Sequence, residues 1–250
     1  MLRINYKKNW YEIEFEGIKI FETKFSTNFI KSIIASELDE PNLVINNKNI
    51  KPKNVIYINE FSKYSDFLSL NKSNYLYKKI IELIKDNSLV NEKLIKTIIE
   101  SLNEELDNEV ISYQYDINKI ISGCFELNEL GYINDEEILR LLNKMEFDEK
   151  KLIIFDNVSY INYNKAKQLL NNFDVLIICN DIRGIIDNIT QLELCCFANE
   201  YLFDIVNIEK LLSYLEIKTS LQINQQDMNN YLQFKNNQKS SIINFYLKSL

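Results

Sequence analysis

The sequence predicts an α/β fold, a head built on a mostly parallel sheet and interrupted by an all-helical insertion. Three observations predict it. Lys151-Leu-Ile-Ile-Phe-Asp156 and Val175-Leu-Ile-Ile-Cys179 are continuous apolar runs, without the alternation of a one-sided sheet, and read as strands covered on both faces. Between residues 64 and 147 apolar positions recur at helical spacing instead. The 250 residues, 46% apolar and 26% charged, suffice for one large core or two smaller ones. The head is expected at 1–63 and 148–216, the helical leg at 64–147, and a C-terminal helical extension at 217–250.

Taken in order, Trp10 to Glu16 alternates apolar with acidic, Gly17 permits a turn, and Ile18 to Glu22 alternates again, which reads as a β-hairpin. Ser26 and Thr27 are N-cap candidates for a helix carrying Phe29, Ile30, Ile33, Ile34 and Leu38, stopped by Asp39-Glu40-Pro41. Leu43–Ile45 and Val55–Ile58 suit short strands. In the leg, Leu76, Ile80, Leu83 and Ile84, then Leu94, Ile95, Ile98, Ile99 and Leu102, form two amphipathic faces. Ile117, Ile120, Ile121, Cys124 and Phe125 continue the pattern after a break around Asn108–Tyr115. Ile138, Leu139, Leu142 and Met145 follow the capping-box-like Asn134-Asp135-Glu136-Glu137. Residues 162–172 read as a helix, Tyr201–Val206 as a third buried strand and 207–216 as a closing helix. The extension is a polar link and an amphipathic helix.

There is no histidine, which excludes imidazole acid/base relays, Ser-His and Cys-His nucleophile pairs, and metal sites that need imidazole. Four glycines leave hardly any loop able to cradle phosphate. Cys124, Cys179, Cys195 and Cys196 lack CxxC spacing, so neither a disulfide framework nor a zinc site is expected. With no apolar leader behind MLRINYKKNW and no long apolar run, the expectation is a cytoplasmic protein without a membrane partner. Net charge is −7, unevenly spread. Residues 1–80 hold 13 basic and 9 acidic side chains, residues 81–150 hold 7 and 17, and residues 151–250 hold 9 and 10. A basic face for a polyanion is compatible with that distribution, and so is a solvated acidic helical surface.

Lys151–Asp156 has the form of a Walker B strand, apolar residues ending in an Asp able to hold Mg²⁺ through water. Its companion GxxxxGK[ST] is absent. Between strand and helix stands Glu22-Thr23-Lys24-Phe25-Ser26-Thr27, whose side chains would crowd an anion nest and whose Glu22 would repel phosphate. Clustered acids such as Asp135-Glu136-Glu137 and Glu104-Glu105 read as solvated faces or first-turn partners of a helix dipole. The better calcium candidate is the interhelical loop Asn108–Asp116, where Asp107, Glu109 and Asp116 could gather around a hard cation. Lys48, Lys51 and Lys53 stand in an Asn-rich loop, Lys7 and Lys8 beside Trp10 and Tyr11, and Lys24 after the strand. These suit sequence-independent contacts to DNA phosphates, or a merely solubilising surface.

The order of these pieces, with KKLIIFDN, DVLIICND and EYLFDIVN at 150–157, 174–181 and 200–207, resembles the small adaptation protein of type II-A CRISPR-Cas systems, the Csn-two family. The resemblance runs along residues 1 to about 215. It implies a head derived from the P-loop NTPase fold with degenerate nucleotide motifs, and a helical leg carrying calcium sites. It also implies a homotetrameric ring that holds linear double-stranded DNA in a lysine-lined channel, without enzymatic activity. The implied partners are the integrase and effector nuclease of the same system, in spacer acquisition. Residues 217–250 extend beyond the short members, and Asn108–Asp116 is poorer in carboxylates than the family's calcium region. The rival readings are an ATPase using Asp156 and a protein scaffold without DNA affinity.

Overall fold

Lys7 and Lys8, with φ of 49° and 68°, form the two-residue turn that folds β1 (Leu2–Tyr6) back on β2 (Asn9–Ile13). Two consecutive positive φ angles define a type I′ turn, whose twist matches the strands it joins. Asn46 and Asn47, at 48° and 64°, repeat the device between β4 (Leu43–Ile45) and β5 (Lys48–Asn49). β1 pairs antiparallel with β4, giving a four-stranded sheet in the order β2-β1-β4-β5. Leu2, Ile4, Tyr6, Ile13, Leu43 and Ile45 share one buried core with Phe29, Ile30 and Ile33 of α1 (Ser26–Ile34). Phe21, Leu152, Ile154, Leu176 and Ile178 of a second sheet complete that core.

This computed structural model is a mixed α/β fold with a mostly parallel sheet and helices. It describes residues 1–34, 41–72, 74–87, 92–105, 112, 116–127, 131–132, 135–145, 147, 149–235 and 237–249. The second sheet runs β10-β9-β3-β8-β7-β6. In it β3 (Ile18–Glu22), β6 (Val55–Asn59), β7 (Lys151–Asp156), β8 (Phe173–Cys179) and β9 (Cys195–Ala198) are parallel, and β10 (Leu202–Asp204) is an antiparallel edge. The two continuous apolar runs are β7 and β8, each flanked by parallel neighbours.

The hairpin expected around Gly17 does not form. Gly17 does turn the chain, at φ 92°, but its carbonyl accepts from Val175 N at 2.7 Å and β3 enters the parallel sheet between β8 and β9. The alternation of Ile18-Lys19-Ile20 suggested one wet face, yet Lys19 and Glu22 are both buried with polar partners. β1, with its charged flanks, pairs with β2 in place of β3. The run Tyr201–Val206 contributes only β10, and the parallel strand beside β3 is the preceding Cys195–Ala198.

Two compact units divide the chain, Met1–Ser62 with Asn134–Leu250, and Lys63–Ile133. In the second, α2 (Tyr75–Asn87), α3 (Glu92–Glu105) and α4 (Ile117–Cys124) are amphipathic helices, and Tyr77, Ile80, Ile84 and Ile121 form its core. α5 (Asp135–Lys144), which the sequence groups with the leg, falls within the first unit, with Ile138 and Leu142 buried. Leu38, Asp39, Glu40 and Asn134 lie outside the described residues. α6 (Tyr163–Lys167) is shorter than the expected helix, and α7 (Ile208–Thr219) matches the closing one. The extension holds two helices, α8 (Gln225–Leu232) and α9 (Gln238–Leu247), which bury Met228, Tyr231, Leu232, Ile243 and Leu247. Among the described residues no helix is long and apolar enough to cross a membrane.

Candidate nucleic-acid interface and the strand-end crevice

An open parallel sheet offers its ligand site at the carboxyl ends of its strands. Here those ends carry Asn59, Asp156, Cys179 and Glu22. Only Thr23, Lys24 and Phe25 separate β3 from α1, too short a connection to wrap a phosphate. Thr23 is itself buried, its amide donating to Cys179 O at 2.9 Å and its hydroxyl accepting from Phe25 N at 3.2 Å.

Both oxygens of Asp156 are occupied. Tyr57 donates its hydroxyl to Oδ2 at 2.5 Å, and Asn157 Nδ2 donates to Oδ1 and to Ser26 Oγ, each at 2.9 Å. Burial and the facing Asp156 carboxylate push the Tyr57 phenol up to about 12, so it stays a donor. Asn157 adopts φ 50°, a left-handed conformation Asn tolerates well, while its amide donates to Ile178 O at 2.8 Å. The network ties the ends of β6 and β7 to the first turn of α1.

Glu22 closes the neighbouring strand end. Its Oε2 accepts from Ile182 N at 3.1 Å, and its Oε1 lies 3.7 Å from Lys248 Nζ, which also donates to Asn180 O at 3.0 Å. Burial raises the Glu22 carboxyl from 4.5 to about 6, against the pull of the Ile182 amide and Lys248. Beside it Asp181 and Arg183 form a multiply bonded pair, closest at 2.5 Å, and the guanidinium lies over Tyr231 and Phe234 at 5.1 and 4.6 Å. The strand ends therefore hold two carboxylates, both bonded within the protein. Sequence reasoning found Asp156 and Glu22. It missed Tyr57, Asn157 and Lys248, for which the strand-end pair Asp156-Asn157 was the available signal.

The six lysines form separate groups. Lys7 and Lys8 are one turn, and Lys7 Nζ donates to Asn199 O at 3.0 Å while lying 5.4 Å over the Tyr6 ring. Lys48 shares a row with Ile45 and Leu2, at the opposite end of the small sheet. From Leu2 to Lys7 is roughly 17 Å at the usual strand rise. Lys48 pairs with Glu149 at 3.1 Å, both side chains well exposed. Lys51 precedes a single 3₁₀ turn, Pro52–Asn54, and Lys24 stands at the carboxyl end of β3. The ammonium groups of Lys8, Lys24 and Lys51 make no hydrogen bond or ion pair with described residues. The side chain of Lys53 lies outside the described residues.

Of the calcium candidates, Asp107 and Glu109 lie outside the described residues. Asp116 caps α4, its Oδ1 accepting from Asn118 N at 2.9 Å and Asn118 Nδ2 at 3.1 Å, and these bonds hold its carboxyl below the usual range. Among the described residues no three His, Cys, Asp or Glu side chains are grouped to hold a metal ion.

No family model and no curated protein matches the chain. Among solved structures it is similar to Stu0660 of Streptococcus thermophilus, with a TM-score of 0.59 and 13% identity over 99% of this chain and 92% of that one. At that identity the likeness is one of fold, and it extends along essentially the whole of both chains.

Proposed function

We propose that this protein is a non-enzymatic, ring-forming binder of linear double-stranded DNA ends that acts in CRISPR spacer acquisition. The observation that carries the reading is the closed strand-end crevice. At the carboxyl ends of the parallel strands Glu22 accepts from Ile182 N and Asp156 is bonded by Tyr57 and Asn157, which supports a head that does not turn over nucleotide. Of the exposed lysines Lys24 stands at the strand ends, while Lys7, Lys8, Lys48 and Lys51 lie on other turns and loops of the same unit. The sequence resemblance to the Csn-two family supplies the pathway, the homotetramer, and the integrase and effector nuclease as partners.

The test is a titration of the purified protein against equal-length linear and closed circular duplex at two salt concentrations, with and without Ca²⁺. Binding restricted to linear DNA, with log K falling by about 0.9 per neutralised phosphate against log salt, is the expected result. No binding to either form removes the reading and leaves the scaffold and the ATPase. Reversing Lys48, Lys51 and Lys53 to Glu weakens binding uniformly across sequences if that loop lines the channel. The ATPase alternative requires nucleotide turnover lost on Asp156→Asn.

A further inference from the structure

One face of the β1–β2 hairpin is buried, and the protein's single tryptophan stands on the other, where Arg3, Trp10 and Glu12 are exposed. Register puts Trp10 opposite Asn5 and Glu12 opposite Arg3, so these four share the outer face. Trp10 is 48% exposed although a ring of that size is ordinarily well covered. Arg3 lies over the indole at 5.4 Å and reaches Glu12 at 3.3 Å, which fixes the guanidinium beside the ring. β2 is the edge strand, with β1 on one side only, so Trp10 is open laterally as well. The Lys7–Lys8 turn ends the same hairpin two residues before Trp10.

An exposed aromatic ring with an arginine already stacked on it and lysines at the end of its strand is what unpaired nucleotides bind. Bases stack on the ring irrespective of sequence, and the cations take the phosphates. Within a duplex every base face is stacked on its neighbours and a blunt end offers only its terminal pair, so the ring gains most where nucleotides are unpaired. The geometry points to the outer face of β1–β2 as a stacking site for a single-stranded DNA overhang, with Trp10 the platform, Arg3 its support and Lys8 a phosphate contact. This rests on the proposed function and refines it. The recognised end carries unpaired nucleotides, and the hairpin reads them.

Trp10 reports on its own site. Intrinsic fluorescence of the wild-type protein is titrated with a blunt duplex and with the same duplex bearing a short thymidine overhang, while the anisotropy of labelled DNA follows binding independently. Expected are saturable quenching by the overhang duplex and little by the blunt one. Trp10→Ala should weaken overhang binding about tenfold, as loss of one stacked base would, and leave blunt binding within twofold. Trp10→Phe should restore most of the loss. DNA binding by anisotropy with unchanged fluorescence, or equal affinities for both duplexes in wild type and Trp10→Ala, overturns the stacking site while leaving the proposed function standing. Absence of any DNA binding overturns both.

Discussion

In the four-stranded sheet Arg3 and Glu12 meet at 3.3 Å with both side chains in water, whereas in the six-stranded sheet Lys19 and Asp204 meet at 2.5 Å with the lysine side chain 1% exposed. The first pair is screened and contributes about 0–1 kcal/mol. In the second, Lys19 also donates to Glu193 O at 3.1 Å, and burial raises the Asp204 carboxyl despite the lysine beside it. The exposed face of an edge hairpin can carry charge without consequence for folding. A parallel sheet covered on both faces makes each charge depend on its partner.

Breaking the buried pair gives the largest expected effect. Asp204→Ala leaves Lys19 uncompensated and should cost about 3–5 kcal/mol in urea denaturation, while replacing both with apolar residues, Lys19→Met with Asp204→Leu, should recover most of it. A single mutant as mild as Arg3→Ala would mean that the sheet interior is wetter than described. Next, Ile177→Ala in β8, a central strand, should cost about 2–5 kcal/mol, whereas Arg3→Ala on the small sheet stays within about 1 kcal/mol.

The third prediction uses pH. Glu22 titrates at about 6 in the fold against 4.5 ordinarily, so the folded state holds this proton more tightly. Its stabilisation is fully present below about 4.5 and is lost as pH rises through about 6, amounting to about 2 kcal/mol. Glu22→Gln should therefore match wild type at pH 4.5 and exceed it by up to about 2 kcal/mol at pH 7.5, measured as paired denaturation midpoints. A difference independent of pH would assign Glu22 a role other than titration.

The smallest effect lies in the turns. Asn46-Asn47 suits positive φ and Lys7-Lys8 does not, so Lys7→Asn with Lys8→Gly should stabilise the hairpin by about 1 kcal/mol in a thermal melt. A stabilisation accompanied by weaker DNA binding would say that the lysines are kept for charge.

The same contrast explains what could be read in the sequence. β7 and β8 were legible because a strand buried on both sides leaves an uninterrupted apolar run, and α2 and α3 because helical spacing persists over several turns. β3 misled, since Lys19 and Glu22 gave it the alternation of a one-sided strand and their partners, Asp204 and Lys248, are far away in the chain. β9, only four residues long, begins directly where the 3₁₀ turn at Ile189–Leu194 ends, so no polar gap marked it. At the site, the missing phosphate loop was plain from composition. The closure of Asp156 by Tyr57 was not, because it depends on the register that sets Tyr57 beside Ile154 and Asn59 beside Asp156.

The parallel sheet also dictates when this protein can fold on the ribosome. β6 and β7 are neighbours, yet the whole 63–133 unit is translated between them, and β3 at the centre waits for β8 and β9. At about 5–20 residues per second, β3 spends roughly ten to thirty seconds outside the exit tunnel before its last neighbour is made. During that interval the apolar Ile18-Lys-Ile-Phe21 segment is unpaired, and chaperone capture of nascent chains should peak there and end once residue 198 has emerged.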